Sequence, residues 1–131
     1  MDRLVTTIQS SCDIVDSELE RDLHYTENNY QNALLHTLRN KFPSNYILGR
    51  EVPLVYKLSD GFIFGAGRID ILVETPEFVL ILELKANVDC KYLKKFSSQT
   101  LRYVKHYNTD KPKRGMCIIF GSCSPILKLL P

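Results

Sequence analysis

Hydrophobic residues recur every three or four positions over the first third of the chain, as they do on an amphipathic helix. One such stripe predicts a first helix over residues 4–19. A second stripe predicts a helix over residues 27–42, with Thr26 as its N-cap, Glu27 in its first turn and Pro43 just beyond its end. The chain is therefore expected to begin with two helices.

The hydrophobic pattern changes after Asn45. Segments rich in Ile, Val, Leu and Tyr alternate with Gly, Pro and Asp, which is typical of strands and turns, and only one later segment returns to helical spacing. The predicted elements of this part are strands over 46–58, 62–74 and 77–86, a helix over 91–107, a strand over 116–120 and a last edge strand over 126–130. This order of helices and strands predicts an α/β domain.

The second and third predicted strands carry charged side chains among apolar ones. With residues 75–76 as a two-residue connection, Asp70 lies opposite Ile81 and Arg68 lies opposite Glu83. Because side chains alternate along a strand, this register gathers the charges of the hairpin on one face. The apolar set of the second strand, on the other face, is Ile69, Ile71 and Val73.

The resulting cluster of Asp70, Glu83 and Lys85 is the most informative feature of the sequence. An ionised group on so hydrophobic a strand is costly unless it is paired or bound to a cation. Two carboxylates a few ångströms apart suit a hard divalent ion such as Mg²⁺ or Mn²⁺, and the adjacent ammonium can position an attacking water. The alternative is an internal salt-bridge network that also includes Arg68. Spacing alone leaves both interpretations open.

Composition fits an ordinary globular protein. The 131 residues are 44% hydrophobic and 24% charged, and no apolar run approaches the ~20 residues of a membrane span. We therefore expect one soluble, intracellular domain over residues 1–131 with no membrane contact. The four cysteines form no CxxC pair, which excludes the usual spacing of a zinc ribbon.

Charge is distributed unevenly around a net value of +2. Residues 1–80 carry 7 basic and 12 acidic side chains, whereas residues 81–131 carry 10 and 3. A basic half can attract a polyanion, although a solvated helix face has the same composition. The candidate nucleic-acid-binding residues are Lys91, Lys94, Lys95 and Arg102 in this half, together with Arg68.

The spacing of Asp70 and the Glu83-Leu84-Lys85 triplet resembles the signature of the PD-(D/E)xK nuclease superfamily. Two further features are similar to that superfamily: Glu27 in the preceding helix, and residues 99–103, which resemble the Q-h-x-x-Y motif of exonuclease-type members. Within the superfamily the sequence is most similar to the GxxExxY protein family, although His24 stands at the glycine of that motif. The segments that follow the family's pattern are 27–30, 50–54, 67–73, 81–86, Gln99 and Ser124-Pro125.

The resemblance implies a restriction-endonuclease-like core of helix, three strands, helix and strand, with a mixed central sheet flanked by helices. It also implies a nuclease that uses Mg²⁺ or Mn²⁺ to hydrolyse phosphodiester bonds, with DNA as the expected substrate and RNA as the alternative. In that interpretation Asp70 and Glu83 are the metal ligands, Lys85 is the catalytic ammonium, and Glu27 and Gln99 complete the site.

Two alternatives to a self-sufficient enzyme remain at this stage. A non-catalytic module that binds nucleic acid or protein could retain the same fold and the same charged residues. The chain could also act as a homodimer or with a partner subunit that supplies substrate specificity. Metal-dependent cleavage is the property that separates an enzyme from a binding module.

Overall fold

The computed structural model describes residues 1–131, and its elements follow the predicted order. The strand predicted over residues 116–120 is longer than expected and begins at Lys113. Its first residues pair with the strand that begins at Val79. The elements are α1 (Asp2–Glu18), α2 (Glu27–Lys41), β1 (Ile47–Lys57), β2 (Ile63–Glu74), β3 (Val79–Ala86), α3 (Leu93–His106), β4 (Lys113–Phe120) and β5 (Ile126–Leu129), with short 3-10 turns at Arg21–Leu23 and Cys90–Tyr92.

The predicted start of α2 is confirmed in atomic detail. The Thr26 hydroxyl accepts a hydrogen bond of 3.1 Å from the Asn29 backbone N–H, and the Asn29 side-chain oxygen accepts one of 3.0 Å from the Thr26 N–H. This reciprocal capping box satisfies amide groups that would otherwise lack partners. It fixes the first turn of α2, where Glu27 lies.

The five strands form one mixed sheet in the order β1-β2-β3-β4-β5. β3 and β4 are parallel, and all other neighbouring pairs are antiparallel. α3 is the crossover that joins the two parallel strands. Residues 79–84 of β3 are all buried, so the prediction of a covered central strand is confirmed.

Helices cover both faces of this sheet. α1 and α2 pack on one face through the largest hydrophobic cluster, which includes Leu80, Leu82 and Leu84 of β3. α3 packs on the opposite face, where Tyr103 and Val104 contact a second cluster. The predicted α/β class, with a mixed central sheet flanked by helices, is confirmed. No helix is both long enough and apolar enough to cross a lipid bilayer.

The predicted register of the β2–β3 hairpin is wrong by two residues. Ile71 pairs with Leu82 and Glu74 pairs with Val79, so the connection spans residues 75–78. Thr75 closes this longer turn, because its hydroxyl accepts hydrogen bonds from the backbone N–H groups of Glu77 and Phe78, 3.2 and 3.0 Å long. A shift of two residues preserves which side chains share a face, so the clustering of the charges survives the error.

The alternation of side chains along β2 is also broken, which the sequence did not predict. Ile71 packs on the side of α1 and α2, whereas Ile69 and Leu72 both pack on the side of α3. The break falls at Asp70 and at the facing residue of β1, Glu51, whose φ of 51° is in the left-handed region. This irregularity lies at the position of the candidate chemistry.

Candidate active site

β2 and β3 separate at Asp70, and carboxylates take the place of backbone carbonyls between them. The last regular pair is Ile71 with Leu82. Beyond it, the Asp70 N–H donates to Glu83 Oε1 over 3.1 Å, and the Leu84 N–H donates to Asp70 Oδ2 over 2.8 Å. Each strand thus holds the acidic side chain of the other, and the two carboxyl groups lie within hydrogen-bonding reach.

Burial makes this pair of carboxyl groups electrostatically unfavourable when both are charged. Desolvation, followed by the negative charge of Asp70, raises the pKa of Glu83 to about 9. Desolvation also raises the pKa of Asp70, against the opposing effect of the hydrogen bond from Leu84. The protein alone therefore favours a proton on this pair, and a bound cation would replace that proton.

Lys85 lies at the entrance of the site between α2 and α3. Its Nζ is 3.8 Å from Glu27 Oε1 and 5.8 Å from the centre of the Phe96 ring. Glu27 Oε1 is shielded from solvent and has no hydrogen-bond partner, although the side chain as a whole is 42% exposed. Burial raises the pKa of Glu27 above its usual value. The positive charge of Lys85 opposes this rise, and the negative charge of Asp70 adds to it. Glu27 is thus electrostatically coupled to both Lys85 and Asp70.

Gln31 is a site residue that the sequence analysis missed. Its side-chain Nε2 donates a 2.9 Å hydrogen bond to the backbone carbonyl of Asp70, and the side chain is buried. Gln31 lies one helical turn after Glu27 on α2, so α2 contributes to the site at two positions. The available signal was an amide on the buried side of a helix, where a polar group needs a partner.

Gln99 faces the same cleft as Lys85 but bonds to a different residue. Its Nε2 donates to the Tyr103 hydroxyl over 3.0 Å, and the structure contains no hydrogen bond from Gln99 to Lys85. The cleft has a volume of about 500 Å³. It is lined by Lys85, Val88, Tyr92, Lys95, Phe96, Gln99 and Arg102.

Arg68 is not part of the carboxylate cluster. It pairs with Pro53 across the β1–β2 ladder, and its guanidinium lies 4.0 Å from Glu51. The predictions that Arg68 lies opposite Glu83 and that it could join a buried salt-bridge network are therefore wrong. A salt-bridge network around Glu83 would need Arg68 opposite Glu83, and the observed register places Arg68 next to Pro53 of β1 instead.

The predicted basic residues lie on the exposed surface of α3 and of the turn before it. Lys94, Lys95 and Arg102 are exposed along α3. Lys91 precedes the helix and lies 3.8 Å from Asp89. Of the four, Lys95 and Arg102 also line the cleft beside Lys85.

The chemistry of Asp70 and Glu83 fits a hard divalent cation. The backbone amides bond to one oxygen of each carboxyl group, Asp70 Oδ2 and Glu83 Oε1. No group of three or more His, Cys, Asp or Glu side chains is arranged to hold a metal ion. Such a site would depend on water and phosphate oxygens for its remaining ligands, as Mg²⁺ sites commonly do.

Comparison with known proteins gives a family and similar solved structures. A family model described as the PD-(D/E)XK nuclease superfamily matches residues 2–128. No curated protein matches the sequence significantly. Among solved structures, the small subunit of the heterodimeric restriction endonuclease R.BspD6I is similar, with 19% identity and a TM-score of 0.45. The alignment covers 86% of this chain and 57% of that subunit.

Proposed function

Because the chain belongs to the PD-(D/E)XK nuclease superfamily, we propose that it is a metal-dependent nuclease that hydrolyses phosphodiester bonds, with DNA as its substrate and RNA as the alternative. We place it in the GxxExxY group of that superfamily, with residues 1–131 as one nuclease domain. The observation that carries the proposal is the pair of interlocked carboxyl groups, Asp70 and Glu83, at the point where β2 and β3 separate.

In this proposal Asp70 and Glu83 would hold Mg²⁺ or Mn²⁺. The chemistry supplied by the bound ion is neutralisation of phosphate charge and activation of water. Lys85 directs its ammonium toward the attacking water or a phosphate oxygen, where it offsets developing negative charge. Glu27 and the Phe96 ring restrict where that ammonium lies, and Gln31 fixes the backbone of Asp70.

Gln99 has a supporting role in the same proposal. Its hydrogen bond to Tyr103 holds its amide against the cleft, where it can bond to a nucleotide beside Lys85. Lys95 and Arg102 line the same cleft and supply positive charge for flanking phosphates. Lys91 and Lys94 extend this positive surface along α3 and the turn before it, and Arg68 on β2 is a further proposed phosphate contact.

The second candidate is a non-catalytic nucleic-acid-binding module. The observation in its favour is that α3 carries four exposed Lys and Arg side chains and no acidic one, and that these cations are separate from the carboxylate pair. Such a surface binds phosphates whether or not the carboxylates hold a metal. A homodimer or a partner subunit is compatible with both candidates.

Two substitutions separate the candidates. Asp70→Asn keeps the size of the side chain but removes a metal-binding charge, and Lys85→Met removes the ammonium but keeps an unbranched stem. Losing one such electrostatic contact typically costs ~10²–10³ in rate. Labelled single-stranded, duplex and branched DNA, each with Mg²⁺, Mn²⁺ or chelator, gives the cleavage rate, and a binding assay in chelator gives the affinity.

We expect both variants to lose cleavage and to keep the affinity of the natural sequence. The matched controls are Asp110→Asn and Lys128→Met, which change exposed residues outside the candidate site and should leave cleavage intact. Absence of metal-dependent cleavage by the unmodified protein on every substrate would replace the nuclease proposal by the binding-module candidate.

A further inference from the structure

The turn between β1 and β2 presents an exposed apolar surface that the proposed catalytic site does not use. We call this surface the hairpin tip; its large side chains are Leu58, Phe62, Ile63 and Phe64, which are 52%, 63%, 54% and 53% exposed. The turn is well defined, because the Leu58 N–H donates to the Phe62 carbonyl over 2.9 Å and Gly61 adopts a φ of 92°. The apolar side chains are therefore displayed by a regular hairpin.

Aromatic contacts hold the hairpin tip on the side of the sheet that carries α3. The Phe64 ring lies 6.0 Å from the Tyr56 ring and 5.6 Å from the His106 ring, centre to centre. Tyr56 in turn lies 6.4 Å from Tyr103, to which Gln99 is bonded. The hairpin tip and the cleft beside Lys85 thus lie on the same side of the sheet, at opposite ends of α3.

The surface between them is positively charged. α3 contains no acidic residue, and its exposed cations run from Lys94 and Lys95 past Arg102 to Lys105. Next to the hairpin tip, a groove of about 610 Å³ is lined by three lysines and no carboxylate. These lysines are Lys57, Lys105 and Lys113.

The size of the hairpin tip argues against a second copy of this chain as its occupant. Large apolar side chains expose roughly 150–250 Å² each when fully accessible, so four half-exposed ones offer about 400 Å². A stable protein interface takes about 800 Å² from each partner. One or two apolar side chains are sufficient, in contrast, to enter a base step of DNA and unstack it.

We infer that the hairpin tip inserts Phe62 into the base stack of duplex DNA whose phosphates lie along α3. The inference rests on the proposed function for its choice of nucleic acid. Eight residues of extended chain separate Asp70 from Phe62, about 26 Å at 3.3 Å per residue. At 3.4 Å per base pair this is seven or eight steps from the site of cleavage. The preferred substrate is then a duplex that bends or unstacks easily at that distance, such as one with a mismatch or a junction.

The test is a series of duplexes with 2-aminopurine at successive positions, bound in chelator so that no cleavage occurs. Fluorescence of 2-aminopurine rises when its neighbours unstack. We expect a rise confined to one or two adjacent positions, lost in Phe62→Ser and reduced in Ile63→Ser. The matched control is Ile47→Ser, which removes an equally exposed side chain at the opposite end of β1 and should leave the rise unchanged.

Each outcome decides the inference separately from the nuclease proposal. No fluorescence rise with the unmodified protein, or an unchanged rise in Phe62→Ser, overturns the wedge, even where metal-dependent cleavage persists. A rise that depends on Phe62 supports the wedge, even where no substrate is cleaved. A dimer in size-exclusion chromatography that Phe62→Ser converts to a monomer assigns the hairpin tip to self-association and overturns the inference.

Discussion

Glu83 combines a buried position on a central strand with a direct contact to a second carboxyl group. Glu83 is 4% exposed, and its carboxyl group accepts a hydrogen bond from the Asp70 backbone N–H. A glutamate in such a place is retained at a cost to the folded state, since an apolar residue would pack there more easily. That cost indicates a functional constraint on this residue.

The raised pKa of Glu83 predicts a pH-dependent stability of the metal-free protein. A carboxyl group with a pKa of 4.5 in the unfolded chain and about 9 in the fold binds more protons when folded between those values. Stability is therefore greatest below pH ~4.5 as far as this group is concerned, and it is lost progressively as the pH rises toward ~9. We expect thermal unfolding in chelator to show a falling Tm from pH 5 to pH 9, and Glu83→Gln to flatten that fall.

Added metal provides the second arm of the same experiment. Mn²⁺ or Mg²⁺ needs both carboxylates deprotonated, so either ion should raise the Tm more at pH 8 than at pH 5.5. Glu83→Gln should remove most of this increase. Equal stabilisation by metal in the variant would contradict the assignment of Glu83 as a ligand.

At the scale of single elements, the 3-10 turn before α2 shows how the chain is led into the site. His24 ends this turn with φ 50° and ψ 53°, a left-handed conformation in which glycine is favoured. It occupies the glycine position of the pattern that gives the GxxExxY family its name, three residues before Glu27. The exposed imidazole tolerates this conformation better than a β-branched side chain would.

Substitutions at His24 should act through the backbone alone, because its side chain is exposed. His24→Gly removes a steric penalty of roughly 1–2 kcal/mol but raises the conformational entropy of the unfolded chain. Because these two effects oppose each other, we expect the free energy of unfolding to be unchanged or slightly higher. His24→Val should lower stability by about 1–2 kcal/mol, since a β-branched residue fits this region poorly. Urea unfolding measures both, with His24→Asn as the tolerated control; equal stability of the Val and Gly variants would contradict the strained turn.

Two glycines of the β1–β2 hairpin occupy positions where another residue would be strained or would clash. Gly61 occupies the hairpin turn with positive φ. Gly67 faces α3, and a Cβ there would lie 2.5 Å from the Tyr103 ring and 2.6 Å from the Tyr56 hydroxyl. Gly67 thus allows α3 to approach β2 closely, which brings Gln99 to the cleft.

At the scale of the whole molecule, acidic and basic chemistry occupy different parts of the surface. The carboxylates lie at the point where two strands separate, and the cations lie along α3 and around the groove at its end. A polyanion attracted by α3 would thereby be brought beside the carboxylates that we propose as metal ligands, without direct contact between phosphate and an unneutralised carboxylate. This separation is what a substrate with many phosphates requires.

Binding along α3 should depend steeply on salt. Each phosphate of duplex DNA that is contacted adds roughly 0.9 to the slope of log affinity against log salt. Charge reversal at Lys94 and Lys95 should reduce both the affinity and this slope, measured by fluorescence anisotropy in chelator. Reversal at Lys41, on the opposite helical layer, is the control. A flat salt response would mean that α3 is an ordinary solvated face.

The sequence by itself determined the order of elements and the central group of the candidate site, Asp70, Glu83 and Lys85. Hydrophobic residues repeat every 3.6 positions along a buried helix face and every 2 positions along a strand face, whatever the packing partner is. This pattern located α2 and β3 within a few residues. The Thr26 cap was predicted because it depends on neighbours in sequence. The grouping of Asp70, Glu83 and Lys85 was predicted because parity along two adjacent strands tolerates a register error of two residues.

Tertiary structure alone decided how those residues meet. The break in alternation at Asp70 and Glu51 and the bond from Gln31 to Asp70 involve partners distant in sequence. No local pattern encodes them, since each side chain takes its position from whichever strand or helix packs beside it. The exchange of amide and carboxylate between β2 and β3 has the same origin: it forms only where two strands separate, and their separation is fixed by β1 and β4 on either side.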